Sequence, residues 1–350
     1  MKATYLYPKN QTISFTLIAR KHIEILRNAG WEIIEGEVNF IEKAEILPIT
    51  FVHPMFYPLA TGPRSYRRLL KYADTLIGFD VADTDKISPL AAYVASQFDL
   101  IFVPTKAIAD IYKRSGVISK IRVLPHGIDE KWLRPPREPK HPKIKSIAKL
   151  KGKKLLFFLW HSGYRKGADV VAEAFARLVK EFDNVYLILK MTKNPDPFLQ
   201  FLYALPNVIV IPEWMDEEDL IDLYDVCDIV LVPSRGGGFE VNALEGLARR
   251  KIVIVSRWGA FDDYAKDALR VSTKKAVNIF IGDKRANVIH CGYGIDPDPQ
   301  DLYQRIKYAI TMEEVVRKRY WDIWENVRMN YTWDVIGKRF INLLKKHLGL

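Results

Sequence analysis

The chain has two cysteines in 350 residues, Cys227 and Cys291. That is too few for a disulfide framework or a cysteine-rich metal site, and it points to a reducing, cytoplasmic compartment. Long apolar runs are also missing. The longest are of the order of Leu155 to Trp160, far short of the ~20 residues that cross a bilayer. At the N-terminus the apolar stretch after Lys2 is cut by Lys9, Asn10 and Gln11, so neither a signal peptide nor a membrane span is expected. No low-complexity tract occurs, and with 49% hydrophobic and 27% charged residues the composition excludes disordered and fibrous classes. Glutamine is scarce, at positions 11, 97, 200, 300 and 304 only, while Lys, Arg and Glu abound, which leans towards a thermophilic source.

Positive charge is what the chain has in excess. Lys and Arg number 53 against 42 Asp and Glu, a formal net charge of +11, so an anionic partner is expected: phosphates, an acidic lipid surface or nucleic acid. The length suggests two domains.

Short apolar runs alternate with amphipathic helical patterns from end to end, which predicts an α/β chain with parallel sheets. In the first half Ala3–Tyr7, Ile33–Ile34, Ile49–His53, Thr75–Phe79, Leu100–Val103 and Ile121–Leu124 read as strands, and Leu17–Ala29 as a helix closed by Gly30. Between Glu130 and Lys154 the texture becomes proline-rich and basic, with Arg134-Pro135-Pro136-Arg137 and His141-Pro142, which predicts a linker. The pattern then restarts. Lys154–Trp160, Val185–Lys190, Val208–Ile211, Ile229–Val232 and Ile252–Val255 read as strands. Ala168–Phe182, Asp216–Tyr224, Met312–Asn326 and Trp333–Leu348 read as helices. Ligands in such folds bind outside the carboxyl ends of the strands, so the expected site is the cleft between the domains.

The most informative stretch runs from Ile229 to Ser256. A strand ends in Pro233-Ser234-Arg235-Gly236-Gly237-Gly238-Phe239-Glu240, and a helix carrying Asn242-Ala243-Leu244-Glu245 follows. Glycines there let the backbone approach a ligand, and the free N–H groups of a new helix point at an anion. A second loop, Trp160-His161-Ser162-Gly163-Tyr164-Arg165-Lys166-Gly167, follows the first strand of the same half, and Arg165 and Lys166 suit a diphosphate. A plain glycine turn and a solvated basic face are the bland alternatives.

Lys166-Gly167, then Trp214 to Leu220, Pro233-Ser234, and Gly238-Phe239 with Glu245 six residues after Phe239, together resemble the donor-binding domain of the retaining GT-B glycosyltransferases of family four. Val123-Leu124-Pro125-His126-Gly127-Ile128-Asp129 looks like the segment that closes that family's first domain, and Tyr331-Thr332-Trp333 like the start of its last helix. The resemblance implies two Rossmann-like domains whose parallel sheets face each other across a cleft. Residues 1–142 would form the acceptor-side domain and residues 143–332 the nucleotide-sugar-binding domain, with the helix of residues 333–350 packing back on the first.

By the same resemblance, Glu245 holds the donor's ribose hydroxyls, Trp214 and Met215 lie along the nucleobase, and Arg165, Lys166 and the amides of Gly236, Gly237, Gly238 and Phe239 hold the diphosphate without a metal or cofactor. The chain departs from the family twice. The first glutamate of the family's paired motif falls on Gly237, which leaves Glu240 to reach the sugar, and His161 stands where the family usually has arginine. On the acceptor side His53, Asp80, Asp83 and Asp85 follow predicted strand ends, and His53 and Asp83 join Glu240 as candidate catalytic residues. Asp83-Thr84-Asp85 also has the Asp-x-Asp form that binds a metal in the GT-A class, which the two-domain pattern argues against.

The expected activity is transfer of a sugar from a nucleotide diphosphate donor to a hydroxyl acceptor, glycan or lipid-linked, with retention. Basic helices at Pro63–Tyr72 and near Lys338, Arg339, Lys345 and Lys346 suggest a peripheral contact with an anionic membrane. Two alternatives stay open: a non-catalytic nucleotide-sugar-binding protein, motivated by Gly237, and a nucleic-acid-binding or -modifying protein, motivated by the charge. No zinc spacing or RNA-binding signature supports the latter, and no specific nucleic-acid partner is expected.

Overall fold

A computed structural model describes residues 1–61, 63–159, 163–191, 199–280 and 283–350. The chain folds as two compact units. The first takes residues 1–127, 280–292 and 333–350; the second takes 128–279 and 293–332.

The first unit is built on a six-stranded parallel sheet of β1 (Lys2–Tyr7), β2 (Glu32–Glu37), β3 (Ile49–Val52), β4 (Thr75–Phe79), β5 (Leu100–Val103) and β6 (Lys120–Val123), in the order β2-β1-β3-β4-β5-β6. β5 is buried along its whole length, as befits a strand with helices on both faces. The helices between strands start where the sequence caps them. Ser88 and Thr105 accept the amides of Ala91 and Ile108, and Pro89 takes the first turn, where its missing N–H costs nothing. The final helix, Trp333–Leu348, belongs to this unit, with Phe340 fully buried and Gly337 against Ile25.

The second sheet contains β7 (Lys153–Leu159), β8 (Val185–Met191), β9 (Val208–Ile211), β10 (Ile229–Val232), β11 (Ile252–Ser256) and β12 (Leu269–Val271), in the order β12-β11-β10-β7-β8-β9. Chain order reverses between β7 and β10, and beyond the carboxyl ends of those two strands lies the crevice that such sheets use for ligands. An antiparallel hairpin of β13 (Thr273–Val277) and β14 (Gly294–Pro297), which the apolar pattern does not reveal, extends this unit.

The expected boundary at 142/143 lies instead at 127/128. The basic linker is part of the second unit because its side chains are anchored there. Ile128 and Trp132 join the second core. Arg137 Nε lies 2.9 Å from Asp222 Oδ1, Arg134 pairs with Glu218, and buried Arg249 donates to the carbonyls of Trp132 (2.7 Å) and Arg134 (2.6 Å). The linker also contains a helix, Pro142–Ala148, which buries Ile144 and Ile147 three positions apart. Among the described residues no helix is long and apolar enough to cross a membrane.

Candidate functional site

Two loops meet at the switch point of the second sheet. After β7 a short helix, Gly163–Lys166, presents Arg165 and Lys166; after β10 comes the segment 233–240. Gly167 makes this approach possible: its φ is +80°, and a Cβ there would sit 2.4 Å from the carbonyl oxygen of Pro233. Backbone bonding completes the junction, with the Arg235 amide donating to the Arg165 carbonyl (2.8 Å) and Arg165 Nη1 to the Gly236 carbonyl (3.1 Å).

Within this junction Lys166 Nζ lies 2.5 Å from Glu240 Oε2, Ser234 Oγ donates to Glu240 Oε1 at 3.0 Å, and Arg165 Nη1 is 3.9 Å from the same oxygen. Glu240 is buried, and its carboxylate is the anion these groups hold. Arg165 and Lys166, gathered at the ends of β7 and β10, are cations that can bind phosphate oxygens by charge-assisted hydrogen bonds.

Gly237 sets the shape of the site. Its φ is +156°, and a Cβ there would come within 2.8 Å of Glu240 Oε1 and 3.5 Å of Arg165 Nη1. The space next to residue 237, where the related family carries its first glutamate, is thus filled by the carboxyl group of Glu240. Trp258 Nε1 donates to the Gly237 carbonyl (2.8 Å), and the Tyr264 hydroxyl to the Glu240 carbonyl (3.1 Å), so the loop is fixed from β11's side. Gly236 and Gly238 are buried beside it, and the half-buried Phe239 ring stacks on Tyr264.

Glu245 sits on the helix Val241–Ala248 and accepts the Tyr224 hydroxyl at 2.8 Å. Burial pushes its carboxyl up to about 7, the Tyr224 hydrogen bond pulls the other way, and Glu217 adds to the rise. Past β9, Trp214 is 58% exposed and Met215 is buried. His161, with Trp160 and Ser162, lies outside the described residues.

Two buried cations of this unit have little signal in the sequence. Arg235 is buried, forks onto Asp169 (2.7 and 2.8 Å), reaches Asp296 Oδ1 (2.9 Å) on β14, and stacks over Tyr164. It ties both cradle loops to the hairpin, and nothing in a glycine-rich segment distinguishes this arginine from a phosphate ligand. Lys190, at the carboxyl end of β8, is 5% exposed; its place as the one charged residue in the run Val185–Met191 was its only signal.

The first unit has a different chemistry at its strand ends. His53 follows β3, and its Nδ1 lies 3.2 Å from the Tyr5 hydroxyl, which also lies 2.9 Å from His22 Nδ1. His22, His53, Asp80 and His126 line a cavity of about 20 Å³, room for one water-sized group. Burial lowers all three imidazoles, His126 to about 4 and the other two well below the usual range. Asp80 accepts the amides of Phe56 (2.9 Å) and Val81 (2.8 Å), and burial outweighs these bonds to push its carboxyl up to about 7. The structure thus joins His53 to Asp80. Asp83 does not line that cavity; its amide donates to His290 Nδ1 at 3.3 Å. Among the described residues no group of three or more His, Cys, Asp or Glu could hold a metal.

Two six-stranded parallel sheets in one chain, one of them with paired loops at its switch point, match the GT-B fold. Over 100% of this chain and 99% of the other, the fold matches sucrose-phosphate synthase from Thermosynechococcus elongatus, with a TM-score of 0.74 at 13% identity. It also matches HepE of Anabaena in complex with UDP-glucose, with a TM-score of 0.71 at 14% identity over 99% and 100% of the two chains. In sequence, a putative glycosyltransferase of Sulfolobus islandicus filamentous virus is 29% identical over 81% of this chain and 77% of its own length. Protein 356 of Sulfolobus islandicus rod-shaped virus 1 is 25% identical over 98% of both. Residues 140–279 match the family model of glycosyl transferases group 1. The chain has the GT-B fold, and residues 140–279 of its second unit carry the glycosyl transferases group 1 domain.

Proposed function

We propose that the chain transfers a sugar from a nucleotide diphosphate donor to a hydroxyl acceptor, a glycan or a lipid-linked sugar, with retention of anomeric configuration and without a metal. The observation that carries this reading is the junction of Arg165, Lys166 and the 236–239 backbone at the switch point of the second sheet. The HepE structure, which has this fold, holds UDP-glucose.

When the anomeric carbon–oxygen bond breaks, its electron pair goes to the departing diphosphate. Lys166 and Arg165 stabilise that charge, which is the main requirement of the step. The acceptor oxygen bonds to the anomeric carbon on the face the phosphate leaves, and its proton passes to a phosphate oxygen. Glu240, already beside Lys166 and Gly237, turns to the sugar hydroxyls once the diphosphate takes over its cations. Glu245 accepts the ribose hydroxyls, and Trp214 and Met215 lie along the base. The first unit takes the acceptor; His53 and Asp83, which do not share one cavity, are its candidate residues.

A cytoplasmic location fits the two free cysteines, Cys227 and Cys291, and a hot source fits the scarcity of glutamine. Peripheral membrane contact is supported by exposed Arg64, Arg67, Lys71, Leu70 and Tyr72 on the helix Pro63–Tyr72, with exposed Phe40 and Lys43 in the same unit. Flotation on vesicles with and without anionic lipid tests this, and equal recovery from both excludes it. The charge gives a nucleic-acid reading little support, since Arg134, Arg137, Arg235 and Arg249 are occupied by carboxylates of the chain itself.

Release of nucleoside diphosphate from a panel of nucleotide sugars is the test of the activity. Turnover that disappears in Lys166→Ala and Glu245→Ala supports transfer. Binding without turnover in the presence of a range of acceptors would leave the non-catalytic alternative.

A further inference from the structure

Lys190 has no part in the diphosphate cradle, yet it is a buried cation at the carboxyl edge of the same sheet. Its Nζ donates to the Glu213 carbonyl at 2.6 Å, the residue immediately before Trp214 and Met215. Among the described residues it forms no ion pair. The carboxylate of Glu213 is turned instead to Lys143, 2.8 Å away, and lies 3.9 Å from His141. An ammonium has three donors and no acceptor, and a carbonyl takes one of them. A buried cation with so little compensation is costly unless something else meets it. Burial pulls the ammonium below its ordinary value, and the Glu213 charge works against that shift.

The sheet order fixes which way a nucleotide would run. Phosphates held beyond β10 and β7 put the nucleoside towards β8 and β9, because Glu245 is near Glu217, whose helix follows the 213–216 strip directly. The exposed indole of Trp214 offers a face for stacking there. Lys190 lies on the strand between the cradle and that indole.

We propose that Lys190 reads the edge of the donor's base at C4 of a pyrimidine or C6 of a purine, and selects nucleotides with a keto oxygen there, uracil or guanine, over those with an exocyclic amine there, cytosine or adenine. A keto oxygen accepts from the ammonium, whereas an amino group turns N–H towards N–H and leaves the buried charge unmet. This rests on the reading of the second unit as a nucleotide-sugar site.

Calorimetric titration of UDP, GDP, CDP and ADP into the wild type, Lys190→Met and Lys190→Gln tests it. The wild type binds UDP or GDP on the order of 10- to 100-fold tighter than CDP and ADP. Lys190→Met loses that difference but still binds diphosphates. Lys190→Gln, whose amide both donates and accepts, narrows it, and serves as the second variant should Lys190→Met fold poorly. Equal binding of all four by the wild type overturns the proposal. So does an equal loss for all four in both variants, the mark of a phosphate-facing or merely structural lysine. If no nucleotide binds the wild type, the nucleotide site itself is absent and the proposal falls with it.

Discussion

Replacing Glu245 with glutamine should stabilise the second unit at alkaline pH while weakening donor binding. In the folded chain the carboxyl is pushed up to about 7, against an ordinary 4.5. The folded state therefore holds a proton that the unfolded chain has released between those two values, and stability falls as pH rises through that window. Each pH decade in the window is worth ~1.4 kcal/mol, so above pH 7 an ionised Glu245 costs the fold on the order of 3 kcal/mol. Glutamine keeps an acceptor for the Tyr224 hydroxyl and cannot ionise, so it removes that cost. For a domain of this size ~3 kcal/mol corresponds to roughly 6–12 °C in Tm. Differential scanning calorimetry of both proteins at pH 5 and pH 8.5 reads the effect, because every other titrating group cancels in the difference. The variant should melt near the wild type at pH 5 and well above it at pH 8.5. A gap independent of pH, or a variant less stable at pH 8.5, would refute the argument.

Other consequences can be checked separately. Donor affinity of the wild type should rise with pH through about 7 as Glu245 ionises to accept ribose hydroxyls, and titration of one nucleotide diphosphate at pH 6 and pH 8 shows whether it does. Gly237→Glu, which restores the related family's motif, should lower stability by about 1–3 kcal/mol and weaken donor binding, because φ is +156° and Glu240 already fills the space; thermal melts and calorimetry test both effects. Arg249→Met leaves the buried Asp225 carboxylate without its partner and should cost about 3–5 kcal/mol, with faster proteolysis of the 128–137 segment. In the first unit the folded value of His126 is about 4 against an ordinary 6.5, so stability should decline as pH falls between those values; His126→Gln should reduce that slope in melts from pH 7 to pH 4.

Much of the fold was legible because parallel strands buried on both faces are continuous apolar runs. β10 and β11 were readable to within a residue, and the final helix announced itself by its period. The short helix Pro142–Ala148 was not, since its apolar residues are only Ile144 and Ile147 within a basic, proline-rich stretch. Nor was the hairpin, because β13 is mostly exposed and carries Lys274 and Lys275. At the site, the glycine loop and the Arg165-Lys166 pair could be read from spacing, whereas the partnership of Lys166 with Glu240 depends on two loops meeting across the sheet. His22 and Tyr5 were invisible for the same reason: each lies among apolar residues of its own element, and only packing brings them to His53.

Sugar transfer by this chain requires that the junction of the two loops hold a diphosphate. Titration of a nucleoside diphosphate and the matching monophosphate into the wild type, Lys166→Ala and Arg165→Ala measures this most directly. The diphosphate should bind the wild type about 10- to 100-fold tighter, and either variant should close most of that gap. Equal affinity for the two nucleotides in the wild type, or a gap unchanged in both variants, would contradict it.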